Sequence, residues 1–584
     1  MIAVDTGGTF TDALAAWPDG SLERVKVLSS SALRGRVAGG GDGSSGRVEI
    51  DAPWAAVSGL VRGLTLRRLE AGSEHRIVEH RGEPPSLSLD PPLPDGVGAG
   101  APFEVRSAEP APLLAARWLC GLAPEEPLPP LTLRLATTRG TNALLERKGT
   151  PPVLVVNRGF ADLLEIGDQT RSDLFALRID RPSPLHEGTV EVDARLDAHG
   201  AEIHPLDVGA LRDAAAAHRA AGRDVAAVAL LHADLDDRHE RAAADTLREL
   251  GFRHVAVSSE LSRFVEILPR TQTCVVDASL APVLEDYLRR IEAALEPGGG
   301  RLLVMTSAGG LMGSGSFHPK DGLLSGPAGG VAGAADAGRA AGIERLLAFD
   351  MGGTSTDVSR FDGGFTYTFE HRVGDARLAT PALEIETVAA GGGSVCWFDG
   401  VRLRVGPHSA GAEPGPACYG AGGPLTVTDV NLLLGRLTPQ RFQIPVSVEA
   451  AELALEALRE EMSRSGHETP ATEELAEGLL DLANQVMSDA VRRTSVRSGH
   501  DPSEHALVAF GGAGPQHACA LADALGIDEV IVPRDAGVLS ARGLAAAGLE
   551  RFAEQQILEV LESNNHARLG RALTELEHRA RDAA

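Results

Sequence analysis

The sequence predicts an α/β protein built around tight glycine turns that follow buried strands. Three observations carry that prediction. Residues 206 to 257 alternate helix and strand patterns, with helices over 206–221 and 237–250 and strands at Val225–Leu231 and His254–Val257, as a mostly parallel sheet covered by helices requires. The apolar run Leu346-Leu347-Ala348-Phe349 delivers Asp350-Met351-Gly352-Gly353-Thr354-Ser355-Thr356-Asp357, and Ile2-Ala3-Val4 delivers Asp5-Thr6-Gly7-Gly8-Thr9-Phe10-Thr11-Asp12 in the same pattern. Near the other end, the strand Ala506–Phe510 enters Gly511-Gly512-Ala513-Gly514 before a helix that runs to Leu525.

The duplicated stretch reads as strand, turn, strand, with Val358-Ser359-Arg360-Phe361 leaving the second copy. Consecutive glycines let backbone N–H groups close around an anion, so such a turn can form a phosphate nest. Threonine hydroxyls add donors, and a carboxylate at the strand end can hold Mg²⁺, which prefers oxygen ligands. One copy would also suit an ordinary hairpin; two copies behind apolar strands point to a nucleotide triphosphate gripped from two sides. Neither is a Walker P-loop, because no Gly-Lys-Ser/Thr follows. The Gly511-Gly512-Ala513 turn offers bare backbone against which an adenine or ribose can lie.

Composition narrows the class. A chain of 584 residues exceeds one ordinary core, so two or three domains are expected. With 81 acidic against 55 basic residues the formal charge is −26, which argues against nucleic acid and anionic membranes. Five scattered cysteines do not resemble a disulfide framework, and no leader or bilayer-spanning apolar stretch is seen, so a soluble cytoplasmic protein is expected.

Taken in order, residues 13–28 return from the first turn through Pro18-Asp19-Gly20 to Val25-Lys26-Val27-Leu28. Residues 35–52 and 83–112, rich in Gly, Ser and Pro, read as loops, and 57–69 has no clear pattern. The strand Leu131–Ala136 ends in Thr137-Thr138-Arg139-Gly140-Thr141-Asn142 before a helix over 143–148, which is either a wall of the site or a well-capped helix start. Asp168-Gln169-Thr170-Arg171 is a polar cluster, salt-bridged or part of the site. Arg181-Pro182-Ser183-Pro184 suggests a boundary over 180–205, and the apolar stripe of helix 275–295, Tyr287 included, reads as core. Ser325-Gly326-Pro327-Ala328-Gly329-Gly330 opens a small-residue helix through Ala341 that can approach a sheet closely. The Pro- and Gly-rich run 406–420 is expected to be an ordered loop; His408, Glu413 and Cys418 in it match no zinc spacing. Thr428 or Asp429 is the expected cap of the next helix, a long helix covers 474–498, and 550–584 reads as exposed helix with Ile557, Leu558, Leu561, Leu569, Leu573 and Leu576.

Two phosphate turns and a late Gly-Gly-Ala turn, in this order, resemble the actin-like ATPase superfamily of sugar kinases and heat-shock chaperones. Longer segments resemble the hydantoinase A and 5-oxoprolinase family: Thr141–Gly149, Asp162–Gly167, Leu324–Gly330, Asp350–Ser359, Val388–Ser394, Gly411–Tyr419 and Phe510–Ala518. The likeness runs from Val4 to about Ala546, leaving out 35–52 and the tail after 550.

The resemblance implies a duplicated actin-like fold with a central nucleotide cleft. It implies a first-phosphate-loop domain over 1–190, a main domain over 200–546 with the second phosphate loop and adenosine turn, and a helical tail over 547–584. It further implies that ATP phosphorylates the amide oxygen of 5-oxoproline, a hydantoin or a related lactam. Hydrolytic ring opening would follow, assisted by a hydantoinase B-like partner subunit, and an oligomer is expected. By motif position Asp5 and Asp350 would hold Mg²⁺; Thr6, Gly7, Gly8, Thr9, Thr11, Gly352, Gly353, Thr354 and Thr356 would grip phosphates. Gly511, Gly512 and Ala513 would face adenosine, and Asp12 or Asp357 would orient the reacting group. Two features depart from the family pattern: the family region stops at Ala584, and Arg139 places a bulky cation where a small or apolar residue is expected. The other readings are a ketone carboxylase subunit of the same family and a non-catalytic ATP-binding switch.

Overall fold

The computed structural model describes residues 1–582 except 40–45, 70, 71, 95, 171–174, 176, 179–181, 443–445, 558, 559, 561, 563 and 564. Arg171, Arg181, Leu558 and Leu561, singled out from the sequence, lie outside the described residues. Contacts divide the chain into two compact units. The first comprises Met1–Gly326, Tyr367–Ala382 and Ala547–Ala584, and the second Pro327–Thr366 and Leu383–Ala546. These units cross the segments 1–190, 200–546 and 547–584 expected from sequence, because the chain leaves and re-enters each body.

Five strands form the heart of the first unit: β1 (Ile2–Thr6), β2 (Phe10–Ala16), β3 (Leu22–Leu28), β4 (Thr132–Thr137) and β5 (Arg301–Met305). They pair in the order β3-β2-β1-β4-β5, antiparallel among the first three and parallel from β1 outwards. The second unit repeats this arrangement with β6 (Arg345–Met351), β7 (Thr356–Asp362), β8 (Ile385–Val388), β9 (Ala506–Phe510) and β10 (Val530–Ile531). Their order is β8-β7-β6-β9-β10, with the same pattern of antiparallel and parallel pairs. The mixed α/β class is therefore present in both units.

Beyond β3 the first sheet continues through six more strands between residues 32 and 106, and with Leu311–Gly313 on the far side of β5 it has twelve among the described residues. This corrects the expectation of loops over 35–52 and 83–112. Ala32–Gly39, Arg47–Asp51, Pro85–Asp90 and Pro102–Arg106 are strands of that sheet. Alternating residues Val48 and Ile50, Leu87 and Leu89, Phe103 and Val105 enter one core with Trp54. The period-two burial outweighs the glycine content. Gly35 is itself a packing residue: a Cβ there would lie 2.6 Å from the Phe103 ring.

Three helices support the first unit: α1 (Ala111–Cys120), α2 (Arg139–Leu145) and α3 (Ile267–Leu295). The 29-residue α3 links two cores. Its later turns pack Tyr287, Leu288, Ile291 and Leu295 with β1 and α1, while Cys274, Val275 and Ala278 pack with Leu154 and Val156. The latter belong to a four-stranded parallel sheet of 189–192, 153–157, 225–228 and 254–257. Helices Val208–Ala220 and Arg238–Glu249 cover its other face, as the alternating pattern predicts.

In the second unit the two faces of β6 separate by period. Leu347, Phe349 and Met351 join a core with α5 (Val427–Leu433), α6 (Thr472–Arg497) and α7 (Gly514–Leu525), while Leu346 and Ala348 face α4 (Ser325–Ala340). The small residues of α4 do bring it close. A Cβ on Gly338 would meet Leu346 at 2.4 Å, and one on Gly330 would meet Phe510 at 2.9 Å.

Other local expectations shift. Leu403–Ser409 is a strand of a hairpin, so only the later part of 406–420 is a loop. The cap of α5 is Thr426 rather than Thr428 or Asp429. Asp429 instead accepts from Ala417 N, Cys418 N, Thr426 N and Thr426 Oγ1 at 2.7–3.1 Å. Among the described residues of the tail the helix runs from His566 to Asp582; ahead of it Leu549 bridges to Leu311, and Glu550 accepts from the Tyr367 hydroxyl at 2.8 Å. Among the described residues no helix is long and apolar enough to cross a membrane.

Candidate active site

The first glycine turn connects β1 to β2 and is closed by Gly7 N donating to Phe10 O at 3.0 Å. The second connects β6 to β7 and is closed by Gly352 N donating to Ser355 O, also at 3.0 Å. The ladders place Asp5 opposite Asp12 and Thr6 opposite Thr11. In the second unit Asp350 stands opposite Asp357 and Met351 opposite Thr356. A further match lies at the next strand: Thr138 N donates to Thr6 O at 2.9 Å, and Ala513 N donates to Met351 O at 2.9 Å. The turn after β4 is thus the counterpart of the Gly511 turn after β9, one carrying hydroxyls and the other bare backbone.

The expected phosphate ligands divide into two groups. Gly8, Thr9, Gly353 and Thr354 are exposed at the turn tips, where their amides and hydroxyls can meet a ligand, whereas Gly7 and Gly352 are half-buried and their amides are spent on closing the turns. Thr11 is fully buried, its hydroxyl 3.0 Å from Ser29 Oγ, which donates to Gly7 O at 2.8 Å. Thr356 is also fully buried and donates to Ala390 O. Both threonines brace their turns from behind. The sequence pattern does not separate these roles, because alternate residues of a hairpin face opposite ways.

Two supports were not legible as functional. Ser29 lies on the neighbouring strand edge, outside the repeated motif. The Gly391-Gly392-Gly393 run buttresses the second turn, with Gly392 N donating to Gly352 O at 3.0 Å and Gly393 N to Gly353 O at 2.6 Å. A Cβ on Gly391 would lie 2.7 Å from Gly353 C and 2.8 Å from Ser355 N, so backbone meets backbone there. Thr428 ties α5 to the same run through Gly392 O at 2.8 Å. On the other flank Gly511 has φ +81°, and a Cβ would lie 2.3 Å from Asp350 Oδ1. The second unit therefore assembles Asp350, both turn glycines and Gly511–Ala513 in one place.

Electrostatics mark the aspartates. Burial, reinforced by the neighbouring Asp12 charge and offset by Lys26, pushes the Asp5 carboxyl up to about 7, and its Oδ1 is buried with no hydrogen-bond partner. Asp12 is raised by burial and partly restored by Lys26, whose Nζ is 2.9 Å away. Asp357 is likewise raised by burial, offset by the Thr387 hydroxyl at 2.6 Å. Two facing carboxylates at a strand end are costly without a cation.

A cavity of about 380 Å³ opens beside the first turn, lined by Thr6, Gly7, Gly8, Thr137, Thr138 and Arg139 together with Ser29, Asn142, Tyr287 and Arg290. The Thr137–Asn142 segment is thus a wall of a cavity, and Tyr287 reaches it from the core. The Asp168-Gln169-Thr170 cluster borders a separate cavity of about 600 Å³, where Asp168 pairs with Arg372 at 3.1 Å. The run holding His408, Glu413 and Cys418 gathers no ligand set; among the described residues no three His, Cys, Asp or Glu side chains converge on a metal position.

Residues 270–552 match the hydantoinase/oxoprolinase family model and 128–251 its N-terminal region model. The chain is 40% identical over 459 residues to 5-oxoprolinase 1 of Arabidopsis thaliana, spanning 72% of this chain and 36% of that protein. An uncharacterized protein of Methanocaldococcus jannaschii is 33% identical, with 76% of this chain and 68% of that one aligned. The caprolactamase subunit alpha of Pseudomonas jessenii is 32% identical over 70% of this chain and 60% of its own length. The crystal structure of the ATP-dependent caprolactamase of that organism superposes with a TM-score of 0.74 at 26% identity, covering 100% of this chain and 76% of that one. A nucleotide-free acetone carboxylase gives 0.67 at 25% identity, covering 99% and 76%. The chain spans little more than a third of the length of the 5-oxoprolinase it matches. With the family matches, the relatives and the repeated turns in agreement, the chain belongs to the hydantoinase/oxoprolinase family.

Proposed function

We propose that this chain is the ATP-using part of an ATP-dependent cyclic amide hydrolase, with an actin-like duplicated ATPase fold. The observation that carries this is the repeat itself. Two hairpins with the same register each set an aspartate at the end of a buried strand and a Gly-Gly turn beyond it. ATP would phosphorylate the amide oxygen of 5-oxoproline, a hydantoin or a related lactam, and water would then open the ring with loss of phosphate. The matches to a 5-oxoprolinase and to a caprolactamase support the substrate class.

The amides of Gly8 and Gly353 and the hydroxyls of Thr9 and Thr354 bind phosphate oxygens, while Gly7 and Gly352 hold the turns in shape through their own amide bonds. Gly511, Gly512 and Ala513 leave room for adenosine, and Asp12 or Asp357 orients the reacting group. Mg²⁺ suits Asp5, whose buried, unpartnered Oδ1 and raised carboxyl are the state an oxygen-seeking cation relieves; Asp350 is its counterpart in register. The ion would supply charge neutralisation on the transferring phosphates.

The name of the caprolactamase subunit alpha supports a separate partner subunit for the hydrolytic half. Five free cysteines, three of them buried, fit the cytoplasmic location in this reading. The test is ADP formation with ATP, Mg²⁺ and 5-oxoproline, hydantoin or caprolactam, with and without a candidate second subunit. Substrate-stimulated turnover supports the reading. Turnover only with acetone and bicarbonate would move the chain to the carboxylase branch, which the acetone carboxylase likeness favours. ATP binding with no stimulated turnover would leave a nucleotide-driven switch.

A further inference from the structure

We propose that an arginine-bearing sheet face in the first unit docks on a glutamate stripe of a second copy of this chain, giving a head-to-tail assembly. The strand ladder closes on itself between residues 32 and 106. Ala32–Gly39 pairs with Arg47–Asp51 on one side and with Pro102–Arg106 on the other, and Pro85–Asp90, Glu74–Gly82 and Thr65–Arg68 complete a ring of six antiparallel strands. A closed barrel has no free edge for an added strand. Its interior is packed with Trp54, Leu66, Ile77, Leu87 and Phe103, so what it offers a partner is its outer face. The barrel also lies outside both matched family regions, 128–251 and 270–552.

Charge is sorted on that outer face. Leu33, Leu66, Phe103 and Val105 point into the core, so their neighbours along the strands point out. The registers align Arg34, Glu104, Arg67 and Glu74 in one row, and Arg106, Thr65 and Arg76 in the next. Arg34 and Arg106 stay 57% and 51% exposed while holding Glu104 at 3.8 and 2.7 Å, so the buried carboxylate is answered and an excess of guanidinium faces outward. On the other side of the barrel Glu49, Asp51 and Asp90 outnumber Arg47. The complement stands on the same chain, whose formal charge is −26. Helix Val448–Arg464 buries Ala451, Leu455, Leu458 and Met462, and turns Glu449, Glu452, Glu456 and Glu460 outward along one face. Like charges three and four residues apart repel within a helix, so this stripe costs stability that cations from outside restore. Arg459 and Arg464 pair with Glu456 and Glu460, which leaves the Glu449 and Glu452 end for a partner. The spacings match: Arg34 and Arg67, like Arg106 and Arg76, are two strands apart, about 10 Å, and Glu449 and Glu456 are two helical turns apart, also about 10 Å.

The contact joins two different faces, the barrel of one copy and the helix of the next, so it builds rings or chains, and its ionic character makes it salt-sensitive. Sedimentation velocity of the full chain should show association at about 50 mM NaCl that weakens by about tenfold or more at about 500 mM. Arg67→Glu with Arg76→Glu, and separately Glu449→Arg with Glu452→Arg, should each weaken it by about tenfold or more, with an unchanged far-ultraviolet circular dichroism spectrum. Mixing the two variants in equal amounts should restore a one-to-one complex through the native face that each retains. A chain that stays monomeric at low salt overturns the inference. So does association that survives either charge reversal, or a mixture of the variants that does not recover. A labelled single-stranded oligonucleotide completes the test: binding that is lost with Arg67→Glu and Arg76→Glu, in a chain that remains monomeric, overturns the inference in favour of nucleic acid.

Discussion

Asp5 faces Asp12 directly across the β1–β2 ladder, and burial, reinforced by the Asp12 charge, raises the Asp5 carboxyl well above the usual carboxylate range. A carboxyl with an ordinary value of 3.8 is thereby pushed up to about 7.

A proton balance follows from that value. At pH 6.5 a carboxyl titrating at about 7 is mostly protonated, and a cation that binds its charged form must expel the proton. Titration of an ATP analogue with Mg²⁺, in two buffers of different ionisation heat, should show roughly three-quarters of a proton more released by the native chain than by Asp5→Asn at pH 6.5. The difference should vanish at pH 8.5, where Asp5 is already charged. An identical release from both chains at pH 6.5 would remove Asp5 from the cation site.

Asp350 occupies the matching position in the second unit, beside the Gly511 turn. Asp350→Ala should lower nucleotide turnover by a hundredfold or more, about 3 kcal/mol in the barrier, with an unchanged far-ultraviolet circular dichroism spectrum. Turnover within threefold of the native chain would contradict the assignment of both turns.

Gly391 tests the buttress behind the second turn. A methyl group there has nowhere to go, because its neighbours at 2.7–2.8 Å are backbone atoms of Gly353 and Ser355. Gly391→Ala should cost about 1–3 kcal/mol and weaken ATP analogue binding at least tenfold, read from denaturation midpoints and calorimetry. Gly353, exposed at the tip with no atom within 4 Å of the position a methyl group would take, should accept alanine with little loss of stability.

Asp429 holds four buried donors, from Ala417, Cys418 and Thr426. Asp429→Ala would leave them unsatisfied at a cost of several kcal/mol, whereas Asp429→Asn keeps part of the acceptor capacity. Chemical denaturation should rank native, Asn and Ala in that order. An Ala variant as stable as the native chain would show that water replaces the carboxylate.

Much of the site could be read from the chain because the repeat is local. Asp5, Gly7 and Gly8, and Asp350, Gly352 and Gly353, stand within a few residues of one another, and the hairpin that joins them follows from glycine and strand pattern alone. What was hidden depends on contacts distant in sequence. Ser29 and Gly391–Gly393 support the turns from other strands and loops, and Tyr287 looks like any core position of α3 until the fold brings its ring under Arg139. The strands over 32–51 and 85–106 are hidden for a different reason. Their glycines and prolines signal turns, while pairs such as Val48 and Ile50 mark alternate positions that only a partner strand reveals. Thr11 and Thr356 share a motif with Thr9 and Thr354 but face inward, a distinction set by which side of the hairpin meets the core.

The repeated strand order also gives the molecule an internal control. Asp12 is answered by a lysine and Asp357 by a threonine hydroxyl, so one hairpin meets its inner carboxylate with a full charge and the other with a dipole. Salt should therefore act unequally on them, screening the ionic clasp of the first while sparing the neutral clasp of the second. Ionic strength becomes a dial that loosens one half of the repeat against an unchanged counterpart in the same chain.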